Sequence, residues 1–163
     1  MSEKFTHLDA DGRPRMVDVG GKDVSFRSAT AEGVITMTAE TAVLIEEGRT
    51  RKGNVLLVAE LAGITGSKRT ADLIPLCHPI PLSAVSVRLE VDHSLPGVRA
   101  VATADVRDRT GVEMEALTAV SVALLTVYDM CKSHDRSMAI GPIRLLRKEG
   151  GRSGTWTANE EHE

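Results

Sequence analysis

The longest stretch of this 163-residue chain without an acidic, basic or histidine side chain covers Ala116–Tyr128, between Glu115 and Asp129. Its 13 residues fall short of the roughly 20 that a helix needs to cross a bilayer. They suit a helix of a folded domain, which we predict over about residues 112–133. Since a helix that is apolar on most sides is buried, often against another subunit, the rest of the chain must supply layers that cover it.

Strand signals surround this helix along the chain. Apolar and polar residues alternate over 85–91 and again over 98–106, which predicts a β-hairpin. The order of all signals, βαββαβ, predicts an α+β fold: a ferredoxin-like sandwich, with an antiparallel sheet and helices packed on one face. The predicted elements are strands over 23–37 (with Gly33 as a candidate break), 85–91, 98–106 and 140–147, and helices over 38–47, 55–64 and 112–133.

The length corresponds to one domain. We expect a flexible N-terminal arm over residues 1–15, a single catalytic domain over 16–156 and a polar C-terminal tail over 157–163. Two cysteines are too few for a disulfide scaffold, and the polar start does not resemble a signal peptide. We therefore expect a cytoplasmic protein.

Aromatic side chains are scarce, since Phe5, Phe26, Tyr128 and Trp156 are the only ones. Proteins that bind single-stranded nucleic acid stack the bases on aromatic rings, so we predict no nucleic-acid polymer as a partner. The belt of Trp and Tyr typical of membrane interfaces is also absent, and we predict no membrane partner. The 20 basic residues nearly balance the 23 acidic ones. Such a balance suits a local cation cluster for one small phosphorylated ligand better than general polyanion binding.

Residues 65–81 have the composition of an ordered, irregular segment. Pro75, Pro79 and Pro81 exclude a regular helix or a central strand from its second half, and loops of this kind tend to carry function. His78, one residue before Pro79, is predicted to be a fixed hydrogen-bond donor or a general acid. Lys68 lies beside Gly66 in the small, basic first half.

Basic residues beside glycines are suited to hold phosphate oxygens with backbone amides and side-chain cations. Lys68 and Arg152, the latter in a Gly-Gly-Arg-Ser-Gly run, have this setting, and Lys52 belongs with them. Each signal is weak alone, because solvated basic loops are the commoner explanation of such patterns.

The ends of the long helix carry the other candidates. Asp129 and Lys132 are three residues apart and share a helix face, so they form either an acid/base pair or a surface salt bridge. Glu113 and Glu115 begin the helix, where carboxylates also simply favour the helix dipole. The 14 residues from Glu115 to Asp129 span roughly 21 Å. Either the two ends serve different sites, or one site is assembled from two chains.

Two Cys/His pairs raise the alternative of a zinc site. Cys131 and His134 have an acceptable helical spacing for metal ligands. Adjacent Cys77 and His78, however, point to opposite sides of an extended segment. We therefore predict neither a metal site nor a cofactor.

Two long motifs together resemble the cyclic pyranopterin monophosphate synthases, accessory enzymes of molybdenum cofactor biosynthesis. One motif comprises 61–64, 68–70 and 72–79, and the other comprises 111–119 and 128–132. The resemblance implies a ferredoxin-like fold and a homohexamer, a trimer of dimers with active sites between subunits. It also implies a nucleotide-derived small-molecule substrate, a 3′,8-cyclised dihydroguanosine triphosphate, which becomes cyclic pyranopterin monophosphate with loss of diphosphate.

The resemblance also implies site residues. Asp129 and Lys132 match the family's catalytic aspartate and lysine, and Arg152 stands where lysine is expected. The implied substrate-binding residues are Leu76, Cys77, His78, Met114, Glu115, Lys52, Lys68 and Arg152. The alternative is a regulatory module of the same fold that binds a phosphorylated ligand without chemistry, because fold alone does not separate the two.

Overall fold

The fold is one antiparallel sheet with helices packed on one face. A computed structural model describes residues 7–8, 11–152 and 154–158 of the chain. Its elements are β1 (Ser25–Thr36), α1 (Ala39–Glu46), α2 (Val55–Ser67), α3 (Thr70–Leu73), β2 (Ala84–Asp92), β3 (Gly97–Asp108), α4 (Glu113–Cys131), β4 (Ala139–Glu149) and β5 (Trp156–Thr157). The strands lie in the order β2-β3-β1-β4-β5, and every neighbouring pair is antiparallel. The predicted ferredoxin-like α+β fold is confirmed.

The long apolar helix α4 lies at the centre of the core. Val120, Leu124 and Val127 are fully buried, and α4 contacts β1, β3 and β4 as well as α2. By length and composition alone α4 also passes as a membrane span, but more than half of it is buried in this fold. A buried core helix passes the same test, so this feature says little about membranes.

Small residues allow α4 to approach the sheet closely. Ala100, Ala102 and Ala104 of β3 are fully buried, and a Cβ atom on Gly33 of β1 would stand 2.8 Å from Cγ1 of Val120. Within the described residues no aromatic side chain is fully buried. The scarcity of aromatic residues in the composition therefore corresponds to a core of small, closely packed side chains.

The first strand is not broken at Gly33, which the sequence offered as a candidate break. β1 continues through this residue, and Gly33 pairs with Ala100 of β3. The glycine makes room for α4 rather than breaking the strand. An irregularity does occur here, but only in the pairing with β4, where the register shifts between Gly33 and Ile35.

The predicted irregular segment 65–81 is helical in its first half. α2 extends to Ser67 and α3 follows after two residues. Ser67 Oγ donates to the carbonyl of Ile64 and Thr70 Oγ1 to that of Ser67, so small polar residues support the turns between the helices. The segment after Ile74 has no helix or strand up to β2, as the prolines predict.

The ends of the chain are described only in part. Of the predicted arm 1–15, residues 1–6, 9 and 10 lie outside the described residues, and Leu8 pairs with Pro14 in an isolated bridge. Of the predicted tail, 159–163 lie outside them, whereas Thr157 pairs with Arg147 as part of β5. The domain limits therefore stay predictions.

Candidate active site

The sequence-predicted residues gather in two clusters at opposite ends of α4. Glu115 lies in the first turn of this helix and Asp129 in its last turn. Along a straight helix this spacing corresponds to roughly 21 Å. Within one chain, therefore, the two clusters do not form a single compact site.

The cluster at the C-terminal end of α4 has a carboxylate between two ammonium groups. Lys132 Nζ lies 2.7 Å from Asp129 Oδ1, which confirms the predicted contact. Lys52 Nζ lies 3.2 Å from Asp129 Oδ2 and 2.9 Å from the Asp129 carbonyl oxygen. Hydrogen bonds, from Lys132 first and then from Lys52, hold the pKa of the Asp129 carboxyl below its usual range.

Lys52 reaches this cluster from the turn between α1 and α2. Thr50 Oγ1 donates to the carbonyl of Gly53 at 2.6 Å, and Gly53 has a φ of +91°, so the turn depends on glycine. Sequence reasoning had grouped Lys52 with the phosphate-binding cations Lys68 and Arg152. The turn instead places it against Asp129, and a contact between residues 77 positions apart has no local sequence signal.

All three side chains of this cluster are about half exposed. Such an arrangement carries one net positive charge. It provides an ionised carboxylate that accepts a proton, two ammonium groups that donate one, and an electrostatic attraction for anions. An exposed ion pair contributes little to folding, so stability alone does not account for the cluster.

The cluster at the N-terminal end of α4 surrounds a cavity of about 310 Å³. Leu76, Cys77, His78, Met114 and Glu115, all predicted substrate-binding residues, line this cavity. The irregular segment after α3 therefore meets the start of α4, as the two motifs require. The cavity is also lined by His7, Val17, Val19, Lys22, Thr110, Gly111 and Glu113.

Glu115 is the most buried charged group of this cavity, with 4% of the residue exposed. The pKa of its carboxyl is raised to about 7, mainly by burial, which its own backbone amide opposes and the nearby charge of Glu113 reinforces. Burial and the charge of Glu115 in turn raise the pKa of the Cys77 thiol. A carboxyl that titrates near neutral pH is typical of functional sites.

His78 is held in one orientation. Its Nε2 lies 2.8 Å from the carbonyl oxygen of Val17. Because a carbonyl only accepts, Nε2 carries a hydrogen and donates it, as sequence reasoning predicted for a fixed donor. Val17 belongs to the segment before β1, so this bond ties that segment to the cavity.

The remaining predicted cations line adjoining cavities. Lys68 shares one with His78 and Glu115. Arg152 shares another with Lys22 and Arg27, and Lys22 also lines the first cavity. Lys68 and Arg152 are thus at the Glu115 end of α4, and Lys52 is at the other end.

Sequence reasoning missed Lys22 and Arg27. Lys22 follows Gly20-Gly21 just as Arg152 follows Gly150-Gly151, and this repeated pattern was an available signal. Arg27 gave no such signal. Its guanidinium donates to the carbonyls of Asp108 and Arg109 at 3.0 and 3.1 Å, which are contacts across the sheet.

The four zinc candidates do not converge in one chain. Cys77 and His78 lie at the start of α4, whereas Cys131 and His134 lie at its end. Among the described residues, no group of three or more His, Cys, Asp or Glu side chains is arranged to hold a metal ion.

Comparison with known proteins agrees with both motifs. The sequence model described as the MoaC family matches residues 16–151. The chain is 55% identical over 160 residues to the cyclic pyranopterin monophosphate synthase of Brucella ovis, covering 98% of this chain and 97% of that protein. The protein of the same name from Brucella canis is 54% identical over the same length and coverage. Because the match runs through the fold and both clusters, the chain belongs to the MoaC family.

Proposed function

We propose that this chain is a cyclic pyranopterin monophosphate synthase, a lyase of molybdenum cofactor biosynthesis. Its substrate is (8S)-3′,8-cyclo-7,8-dihydroguanosine 5′-triphosphate, and its products are cyclic pyranopterin monophosphate and diphosphate. The observation that carries the proposal is the carboxylate of Asp129 held between Lys52 and Lys132, in a chain that matches named synthases over nearly its full length.

In this proposal the Glu115 end of α4 binds the substrate. Lys68 and Arg152 hold phosphate oxygens, joined by Lys22, which lines the cavities on both sides. Glu115 and His78 orient the guanine-derived base. Its ring N–H and exocyclic amino group are donors that an ionised carboxylate accepts. Among the described residues no Phe, Tyr or Trp side chain lines these cavities, so hydrogen bonds and ion pairs hold the ligand with little stacking.

The Asp129 end provides the proton transfers. Opening the five-membered ring and rebuilding it as a pyranopterin requires protons to be removed and returned, while the departing diphosphate carries away negative charge. Asp129, kept ionised by its two lysines, acts as the proton acceptor. The ammonium groups of Lys52 and Lys132 donate protons and neutralise developing charge.

The two ends act together if one chain supplies Glu115 and its partner supplies Asp129. We propose a homohexamer, a trimer of dimers, with active sites between subunits. The separation of Glu115 and Asp129 along α4 supports this assembly. So do the exposed apolar side chains of Leu57, Leu61 and Leu125 on α2 and α4, which a neighbouring chain would cover. The cytoplasmic location stays a prediction.

Isothermal binding combined with product analysis tests the proposed activity. Incubation with the cyclised triphosphate is expected to release diphosphate and to form a product with the mass of the cyclic pyranopterin monophosphate. Binding of the triphosphate without diphosphate release would instead identify a regulatory module of the same fold. Single-turnover assays of Asp129→Asn and Lys132→Ala are expected to lose at least about 100-fold in rate. Near-normal product formation by both variants would overturn the assignment of the catalytic cluster.

A further inference from the structure

The carboxylate of Glu113 has a fixed position beside the Glu115 cavity. It folds back over Gly111, so closely that a Cβ atom at residue 111 would overlap the Glu113 carboxylate in this conformation. Lys148 Nζ, from β4, lies 3.3 Å from Glu113 Oε1. Both side chains are about 70% buried, which makes this more than a surface ion pair.

Glu113 and Glu115 line the same cavity from one turn of α4 and have different surroundings. Glu113 is paired with the ammonium of Lys148. For Glu115 no hydrogen bond or ion pair to another side chain of the described residues is found. Glu115 experiences the charge of Glu113, and the ammonium of Lys148 lies against that same Glu113 carboxylate.

We propose that Glu113 and Lys148 are positioning residues that set the charge state of Glu115 with opposite signs, and thereby the pH range in which the cavity accepts its ligand. This inference rests on the proposed function, which it deepens, since Glu115 must be ionised to accept the N–H donors of the substrate base. The other charged or titratable groups that line the cavities around Glu115 are His7 and Lys22 before β1, Lys68 and Asp72 near α3, and Cys77 and His78 before β2.

The direction of each effect follows from Coulomb's law. The Glu113 carboxylate makes it harder to ionise Glu115 and raises the pKa of that group. Removing the Glu113 charge lowers the pKa of Glu115. Removing the charge of Lys148 leaves the Glu113 carboxylate uncompensated and therefore raises the pKa of Glu115. If Glu113 and Lys148 had a merely structural role, their replacement would not shift the pKa of Glu115 in opposite directions.

The direct test is a carbon-13 titration of the Glu115 carboxyl in the ligand-free protein, assigned by comparison with Glu115→Gln. We expect the midpoint to move down by at least about half a pH unit in Glu113→Gln and up by a similar amount in Lys148→Met. The double variant is expected to return close to the wild-type midpoint. Shifts of the same sign, or none, would overturn the proposal.

The acid limb of kcat/KM against pH provides the functional readout, since it reports groups of the free enzyme. It is expected to follow the carboxyl midpoint in each variant, and an unmoved limb would contradict the link to ligand binding. If Glu113→Gln does not fold, Lys148→Met alone still decides, because only the proposal predicts an upward shift there. The titration needs no turnover. If the Glu115 midpoint shifts as expected in the variants while the wild-type protein makes no product, the proposed function fails and the charge coupling stands.

Discussion

Lys52 and Asp129 are bonded twice, since the lysine Nζ lies 2.9 Å from the aspartate carbonyl oxygen and 3.2 Å from its Oδ2. The first bond places Lys52 on a free carbonyl of the last turn of α4, where a cation is favoured by the helix dipole. The second makes Asp129 a partner of two ammonium groups at once. A turn between two other helices thereby completes the cluster at the end of α4.

Loss of the Lys52 cation is expected to impair catalysis far more than stability. In Lys52→Met the rate of product formation falls by about 100-fold, because a proton donor is lost and Asp129 keeps only one lysine. The free energy of unfolding changes by less than about 1 kcal/mol, since the pair is half exposed. Single-turnover kinetics and urea unfolding measure the two quantities.

Arg49→Met is the matched control for this experiment. Arg49 lies in the same turn, but its exposed ion pair is with Glu47 and not with Asp129. Its replacement is expected to leave the rate within about twofold of wild type. An equal loss of activity in both variants would mean that the turn, rather than the Lys52 cation, matters.

The ionisation of buried Glu115 is expected to destabilise the folded protein at neutral pH. Its pKa is about 7 in the folded state against an ordinary value of 4.5, so the folded state binds the proton more tightly. Stability is therefore lost as the pH rises from about 4.5 to about 7. Glu115→Gln removes this loss, so its free energy of unfolding relative to wild type is expected to rise by roughly 3 kcal/mol as the pH rises across that range.

Urea unfolding at several pH values from 4 to 8 measures this difference. Glu40→Gln, at an exposed position in the first turn of α1, is the control and is expected to show no comparable trend. If the difference in free energy of unfolding between Glu115→Gln and wild type stayed constant over the whole pH range, that would contradict the raised pKa of Glu115.

Asp135 is expected to stabilise the connection between α4 and α1. Its carboxylate accepts from the amides of Thr38 and Ser137 at 2.9 and 2.8 Å and from Ser137 Oγ at 2.6 Å. Asp135→Ala is expected to cost about 2 kcal/mol, and Asp135→Asn, which keeps one acceptor, less. These bonds lower the pKa of Asp135, and those from Ser137 contribute most. The contribution of Asp135 to the free energy of unfolding is therefore present above the ordinary carboxyl pKa and is lost as the pH falls through the lowered value. Chemical denaturation checks both variants, and equal stability of wild type and Asp135→Ala would refute the role.

Even the smallest added side chain at Gly33, beneath α4, is expected to destabilise the fold. In Gly33→Ala the new methyl group would approach Val120 and Ile143 to 2.8 and 2.9 Å, which costs about 1–3 kcal/mol by overpacking. Gly21→Ala, where nothing lies within 4 Å of the added atom, is expected to be close to neutral. Thermal unfolding of the two variants checks the contrast, and similar melting temperatures would contradict close packing at Gly33.

Local signals in the sequence predicted most of the fold. The apolar run of α4 and the alternation in β2 and β3 each act within a few residues, and the structure has the elements that they predict. Gly33 was misjudged because the reason for a glycine there is a helix that returns about 90 residues later. Local rules favour a break at such a position, whereas tertiary packing requires close approach.

The sequence predicted which residues belong to the candidate site, but not which of them lie together in space. The motifs identified the residues at both ends of α4, and the helical spacing predicted the Asp129–Lys132 contact. The partner of Lys52, the burial of Glu115 and the positions of Lys22 and Arg27 depend on how loops cross the ends of the sheet. No single stretch of sequence specifies such crossings.

The most direct test of the account asks whether two chains complete one site. Glu115→Gln and Asp129→Asn, each nearly inactive alone, are co-expressed so that they assemble together, and the pyranopterin product is detected by mass. If a site combines the Glu115 end of one chain with the Asp129 end of another, mixed dimers contain one intact site, and about a quarter of the wild-type rate returns. A mixture that stays as inactive as its components, beside an active wild-type protein, would contradict the shared site. Absence of product from the wild type itself would contradict the proposed activity.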